Sequence, residues 1–151
     1  EVDSYIYQVL KVDNMDFIRE YELEPFIMTL QSIERTFIDK VFALCDYYIK
    51  DDVNKHSRHI YDLYKLLPQI TFDDIFKQLV EDVRNERLKM PKMCPAAEAG
   101  IDINECLQVI VDKRIYEKDY DEITSYFQKE RVDYDEAIGV IDKIINSKMF
   151  G

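Results

Sequence analysis

The segment from Ser32 to Ile49 is the feature that most strongly constrains the fold. Its apolar side chains cover about half of a helical wheel, which predicts a central, well-buried helix that Ser32 caps. The apolar arc consists of Ile33, Phe37, Ile38, Val41, Phe42, Leu44, Cys45, Tyr48 and Ile49. The opposite stripe is predicted to face solvent, and it consists of Arg35, Asp39, Asp46 and Lys50.

Helices are also favoured elsewhere, because the 151 residues include only 3 Gly and 4 Pro and few breakers argue against a turn-rich β architecture. A short helix is predicted at 13–21. The stretch 55–67 predicts a helix that ends before Pro68, and 71–88 predicts a further one. Two prolines and a glycine near 90–101 predict a loop.

Two N-terminal segments predict strands. Residues 4–10 alternate in polarity and are rich in β-formers, and 25–31 has a similar composition. The predicted fold class is therefore α+β and predominantly helical, with a small two-stranded sheet remnant followed by a bundle of about six helices. The predicted regions are 1–31 and 32–151, packed as one domain.

Short acidic strings recur along the chain, most clearly DYDEI from Asp119 and DYDEAI from Asp133. They could be read as metal ligands. An Asp followed three residues later by Glu is, however, typical of a capping box, in which acids satisfy free backbone N–H groups. TFDD at 71 and DINE at 102 follow the same logic. These strings predict helix starts near residues 72, 103, 120 and 134.

The charge is unevenly distributed along a chain whose net charge is −11. Residues 1–34 hold 2 basic and 8 acidic residues, 35–65 hold 6 and 5, and 66–151 hold 12 and 18. A general polyanion-binding surface is not expected, because phosphate affinity comes mainly from neutralising cations. Any phosphate contact is therefore predicted in the middle third.

The cysteines predict a reduced, cytoplasmic location. Cys45, Cys94 and Cys106 are odd in number and widely spaced, with no secretory signal. No apolar stretch of about 18 residues predicts a membrane span, and no membrane partner is expected. A zinc site that combines these cysteines with His56 and His59 lacks any pair at ligand spacing.

Lys40 and one face of the 55–67 helix are the unusual polar features. Lys40 sits at the edge of the apolar arc, where it either snorkels to solvent or contacts a phosphate. Lys55, Arg58, Asp62 and Lys65 are spaced by 3, 4 and 3 residues, which places them on one helical face. That face is either a solvated stripe, with Asp62 paired to Arg58, or the wall of an anion site.

Two stretches, LEPFIMTLQSIERTFIDKVFALCDYY and HSRHIYDLYKLLP, resemble the AbiEii-type nucleotidyltransferase toxins of abortive-infection, type IV toxin–antitoxin systems. The resemblance is strongest over 23–68. It equates Lys40 with the family lysine and Asp62 with the last aspartate of a motif resembling Arg-x-Lys-Asp-x-x-Asp. Arg58 then replaces the motif lysine, while His56 and His59 stand where the motif has arginine and its first aspartate.

The resemblance implies transfer of a nucleotide from a nucleoside triphosphate, with Mg²⁺, to an RNA or protein acceptor; some family members modify transfer RNA. It implies catalytic roles for Lys40 and Asp62. It also implies phosphate binding by Arg58, Lys55 and His59, and no metal ligand in this chain.

The sequence departs from the family because nothing in it matches the Gly-Ser and Asp-x-Asp elements that would hold the metal. The chain also begins with Glu1 instead of Met. The hypothesis is that it is the C-terminal part of a longer toxin and is inactive alone. The alternative is a non-catalytic helical module that binds a partner such as an antitoxin.

Overall fold

A computed structural model describes residues 2–128 and 130–151. Glu1, which contributed to the prediction of a longer protein, lies outside the described residues. The chain divides into two compact units, 1–31 and 32–151. Whether they pack as one domain stays a prediction.

The first unit contains two short helices, α1 (Tyr5–Leu10) and α2 (Met15–Glu20). The helix predicted at 13–21 is confirmed, with Asn14 at its N-cap position. The strand predicted at 4–10 is wrong. The Ser4 hydroxyl accepts a hydrogen bond from the Tyr7 N–H, so a local cap favours a helical turn over an extended strand.

The strand predicted at 25–31 is also wrong. Phe26 forms one isolated antiparallel bridge with Val2, and Pro25 has no N–H to donate to a ladder. Throughout the described ranges the structure contains helices and no strand. The α+β fold class and the sheet remnant are therefore replaced by an all-helical fold.

The second unit is built around the long helix α3 (Ile33–Ile49), and Ser32 caps it as predicted, accepting a hydrogen bond from the Arg35 N–H. Around it lie α4 (Arg58–Leu66), α5 (Asp74–Arg87) and α6 (Ile103–Asp112). A continuous helical segment, here called α7, comprises an α-turn (Glu117–Asp119), a π-helical turn (Tyr120–Thr124) and a further α-turn (Ser125–Phe127). The final helix is α8 (Tyr134–Ser147). Short 3-10 turns lie at Leu67–Gln69 and Pro95–Ala97.

The apolar arc of α3 forms the centre of the core. Phe37, Val41 and Leu44 are fully buried among side chains from α4, α5, α6 and α8. The prediction that Asp46 faces solvent is wrong, because α3 is covered on that side too. Asp46 is buried, and its carboxylate accepts hydrogen bonds from the Arg87 guanidinium and the Ala96 N–H. It thereby fixes the loop after α5 to α3.

The capping predictions hold at two of the four acidic strings. Asp102 and Asp133 cap α6 and α8, close to the predicted starts. In the string TFDD, the cap is Asp73 instead of Thr71. In the string DYDEI the capping prediction is wrong, because Asp119 lies inside α7 with helical backbone angles. Within the described ranges, none of the helices is both long enough and apolar enough to cross a membrane.

Candidate functional site

Lys40 and Asp62, the two residues to which the resemblance implies catalytic roles, lie together. Lys40 on α3 and Asp62 on α4 form an ion pair with 2.6 Å between Nζ and Oδ2. Their side chains are 23% and 36% exposed, so the pair is partly shielded from water. Asp62 therefore takes its cation from a neighbouring helix, and the predicted local pair with Arg58 does not form in the described structure.

A cavity of about 480 Å³ opens beside this pair, between α4 and α7. Its lining comprises Lys55, Arg58, Tyr61, Asp62, Ile123, Thr124, Phe127 and Gln128. Lys40 is not part of the lining and reaches the cavity only through Asp62. The structure thus brings together three of the predicted polar residues, Lys55, Arg58 and Asp62, on one wall.

The two cations of this wall are exposed and available. No described carboxylate lies within ion-pairing distance of Lys55 or Arg58. Lys65, which was predicted on the same face, differs. Its Nζ lies 2.8 Å from Glu130 Oε2, and it borders a different cavity beside α8.

The two histidines form an aromatic cluster with Tyr47 of α3. The rings of His56 and Tyr47 stack with centroids 3.4 Å apart, and the His59 ring is nearly parallel at 5.9 Å from Tyr47. Each histidine buries an Nδ1 that has no hydrogen-bond partner in the described structure. His59 lies next to the cavity wall without lining it.

Both histidines are held neutral at pH 7. Burial first, and then the positive charge of Lys40, lower the pKa of His59 to about 4, while Asp62 opposes the shift. Burial likewise lowers the pKa of His56. At neutral pH, His59 can therefore offer a phosphate a hydrogen-bond donor but no positive charge.

The cavity wall begins in a loop with unusual backbone geometry. Lys55 does not lie on α4 as predicted, and its φ of 67° is in the left-handed region. The Asp119 carboxylate accepts hydrogen bonds from the Lys55 N–H at 2.6 Å and the Ser57 N–H at 3.0 Å. The hydroxyls of Ser57 and Thr124 are 2.7 Å apart.

Asp119 is the residue of this site that sequence reasoning missed. Its spacing to Glu122 gave a complete local explanation, a capping box, and nothing in the sequence pointed to partners more than 60 residues away. Burial by itself raises the pKa of Asp119, but the hydrogen bonds from Ser57, Lys55 and His56 outweigh it, so the net pKa is lowered. Asp119 is therefore ionised at neutral pH.

The donor set of the described residues does not suit the Mg²⁺ that the family implies. Among residues 2–128 and 130–151, no three side chains of His, Cys, Asp or Glu are grouped so that they could hold a metal ion. Asp62 is paired with Lys40, and Asp119 is occupied by backbone N–H groups.

Neither curated proteins nor solved structures match the chain. A family model described as "Nucleotidyl transferase AbiEii toxin, Type IV TA system" matches residues 4–140, which is most of the chain. The chain therefore belongs to the AbiEii family of nucleotidyltransferase-like toxins from type IV toxin–antitoxin systems.

Proposed function

We propose that the cavity between α4 and α7 binds the phosphates of a nucleoside triphosphate. The observation that carries this proposal is the pair of unpaired cations, Lys55 and Arg58, on the cavity wall in a member of this family. Phosphate oxygens would give these side chains the charge-assisted hydrogen bonds that they lack. The cavity's volume of about 480 Å³ is in the usual range for small-molecule sites.

The surroundings support an anionic ligand at this place. The cavity wall belongs to the segment 35–65, whose 6 basic and 5 acidic residues distinguish it from the acidic remainder. An anion would therefore meet less repulsion here than elsewhere. Tyr61 and Phe127 border the same cavity and offer ring faces on which a nucleobase could stack.

Lys40 and Asp62 are proposed as the catalytic pair. Asp62 borders the cavity and holds the Lys40 ammonium 2.6 Å away. In this proposal Asp62 orients the cation toward the transferring phosphoryl group or accepts the proton of the acceptor hydroxyl. His59 does not line the cavity, so the phosphate contact that the resemblance implies for it is not part of this proposal. The acceptor is an RNA or a protein, and the compartment is the cytoplasm.

The test is nucleotide binding by the chain itself, measured by calorimetry with the four nucleoside triphosphates and inorganic tripolyphosphate. Arg58→Ala and Lys55→Ala should each weaken binding about tenfold, the value of one lost charge-assisted contact. Lys77→Ala is the matched control, because Lys77 is an exposed cation on α5, remote from the cavity lining. Absence of binding, or equal losses in all three variants, would refute the proposal.

Transfer activity is a separate question. The expectation from the sequence is that this chain alone does not transfer a nucleotide. Incubation with labelled triphosphates, magnesium and transfer RNA tests it, and robust labelling of the RNA would contradict it. Such labelling would leave the proposed phosphate site standing.

A second candidate function is a partner-binding module, for example for an antitoxin. It is favoured by apolar side chains of the first unit that are exposed in the described structure, among them Tyr5, Val12 and Ile27. Co-purification with the antitoxin encoded beside the toxin tests this alternative. Loss of the complex in Ile27→Asp, with nucleotides failing to bind the free chain, would favour it over the enzyme.

A further inference from the structure

We propose that Asp119 is a positioning residue that holds Lys55 and Arg58 in place for the phosphates. Its carboxylate accepts hydrogen bonds from the backbone N–H groups of Lys55 and of Ser57, the residue before Arg58, and leaves both cationic side chains free. This inference rests on the proposed phosphate site and adds to it Asp119, a residue of α7 that lies outside the cavity lining.

The first argument is backbone strain. Lys55 has a φ of 67°, a conformation that non-glycine residues seldom adopt without surrounding support. The Asp119 carboxylate supplies that support by accepting the Lys55 N–H. Without it, we expect the loop to relax toward a negative φ, which would turn the Lys55 side chain in a new direction.

The second argument is the start of α4. Arg58 is the first residue of this helix, and Ser57, at the N-cap position, has helical backbone angles and forms no side-chain cap. Its hydroxyl contacts Thr124 instead. The negative charge that helix N-termini favour is supplied by Asp119, whose Oδ2 accepts the Ser57 N–H. The direction in which Arg58 leaves the helix is thus set by α7.

The third argument is the π-helical turn of α7. In a regular α-helix, residues five apart point about 140° away from each other. The wider turn, closed by a hydrogen bond from the Ser125 N–H to the Tyr120 carbonyl, lets Asp119 and Thr124 both contact Ser57. Such turns occur frequently at functional sites. Here the two contacts with Ser57 connect α7 to the start of α4.

The experiment measures binding of inorganic tripolyphosphate to the chain and to Asp119→Asn. The substitution keeps the side chain's size but points an NH2 donor at one of the two backbone N–H groups. We expect affinity to fall about tenfold, since small misplacements of binding groups are costly. Asp121→Asn is the matched control, because it removes the same charge from an exposed position on α7 and should bind as the wild type does.

A double-substitution cycle separates positioning from general stability. If Asp119 acts through the cations, Asp119→Asn should weaken binding less than about twofold in chains that already carry Lys55→Ala and Arg58→Ala. Unchanged affinity in Asp119→Asn alone, or the same loss in both backgrounds, would overturn the inference. Failure of the wild type to bind tripolyphosphate would instead refute the phosphate site itself.

Amide hydrogen exchange keeps the inference testable even where the variant does not fold. In the wild-type chain without ligand, the Lys55 and Ser57 amides should exchange at least about tenfold more slowly than unprotected amides. Where Asp119→Asn folds, both amides should lose that protection while α5 keeps its own. Unprotected Lys55 and Ser57 amides in the wild type would overturn the inference.

Discussion

The strings DYDEI and DYDEAI, which begin at Asp119 and Asp133, are nearly identical in sequence and opposite in role. Asp133 accepts a hydrogen bond from the Glu136 N–H, three residues away, and so caps its own helix. Asp119 accepts from Lys55 and Ser57, which precede it by 64 and 62 residues. Asp133 caps its own helix, whereas Asp119 connects α7 to the residues just before α4.

The backbone conformation of each aspartate explains the difference in role. Asp133 has an extended backbone, with φ −75° and ψ 167°, as an N-cap requires. Asp119 has φ −65° and ψ −35°, because α7 has already begun at Glu117. A carboxylate inside a helix cannot cap that helix, so it is free to satisfy N–H groups of another segment.

The largest expected effect tests this contrast directly. Asp119→Ala should lower the free energy of unfolding by about 3 kcal/mol, because it leaves the buried Ser57 N–H and the partly buried Lys55 N–H without an acceptor. Urea unfolding measures the loss. A loss no greater than that for Asp133→Ala would mean that the connection between helices contributes no more than a local cap.

A second prediction concerns the pH dependence of stability. It involves His59, whose pKa, like the role of Asp119, depends on residues distant in the sequence. His59 is neutral in the folded chain, with a pKa of about 4, because of burial and the nearby Lys40. The unfolded chain binds a proton near pH 6.5, so stability is full above that pH and is lost as the pH falls toward 4. The other charged or titratable groups around the ring are Arg58, Asp62 and His56.

Unfolding free energies at pH 7.5 and 4.5 measure this dependence. His59→Gln should remove on the order of 2 kcal/mol of the difference between the two pH values. His56→Gln is the matched control and should remove less, because the His56 ring is less buried than the His59 ring. Equal pH dependence in the wild type and His59→Gln would show that His59 titrates normally.

Sequence patterns anticipated the elements whose causes are local. The core arc of α3 and the caps Ser32, Asp102 and Asp133 follow from spacing alone. The strand prediction at 4–10 failed because alternation over a few residues does not exclude a short helix once Ser4 supplies a cap. Asp46 and Asp119 were misjudged for one reason: their partners are distant in sequence, and a helical wheel contains no information about neighbouring helices.

Only the family resemblance singled out Lys40 and Asp62 as a pair of catalytic residues. From the residues alone, a local pair with Arg58 explained Asp62 equally well. Residue spacing along a helix identifies possible partners on that same helix. The family resemblance, in contrast, drew attention to a residue 22 positions away. The sequence offered the Lys55, Arg58 and Asp62 face as one wall of an anion site, but it did not identify the other wall, α7, whose start was placed three residues too late.

A third prediction concerns Asp133, which forms the local helix cap. Asp133→Ala should lower the free energy of unfolding by about 1 kcal/mol, the usual cost of losing an N-cap. Asp133→Ser should restore most of it, because a hydroxyl can accept the same Glu136 N–H. The matching exchange Asp119→Ser should restore little, since one short hydroxyl cannot reach both Lys55 and Ser57. Equal rescue at the two positions would remove the distinction between them.

The smallest expected effect comes from an acid that also joins two helices but does so near solvent. Asp62→Asn removes the charge partner of Lys40, yet both side chains are partly exposed, and such pairs contribute about 0–1 kcal/mol. We therefore expect a change in unfolding free energy below about 1 kcal/mol, measured beside Asp119→Asn under the same conditions. A small loss for Asp62 and a large one for Asp119 would show that burial, and not the distance spanned along the chain, sets the cost. A loss at Asp62 as large as at Asp119 would contradict that conclusion and make the Lys40–Asp62 pair a structural element of the fold.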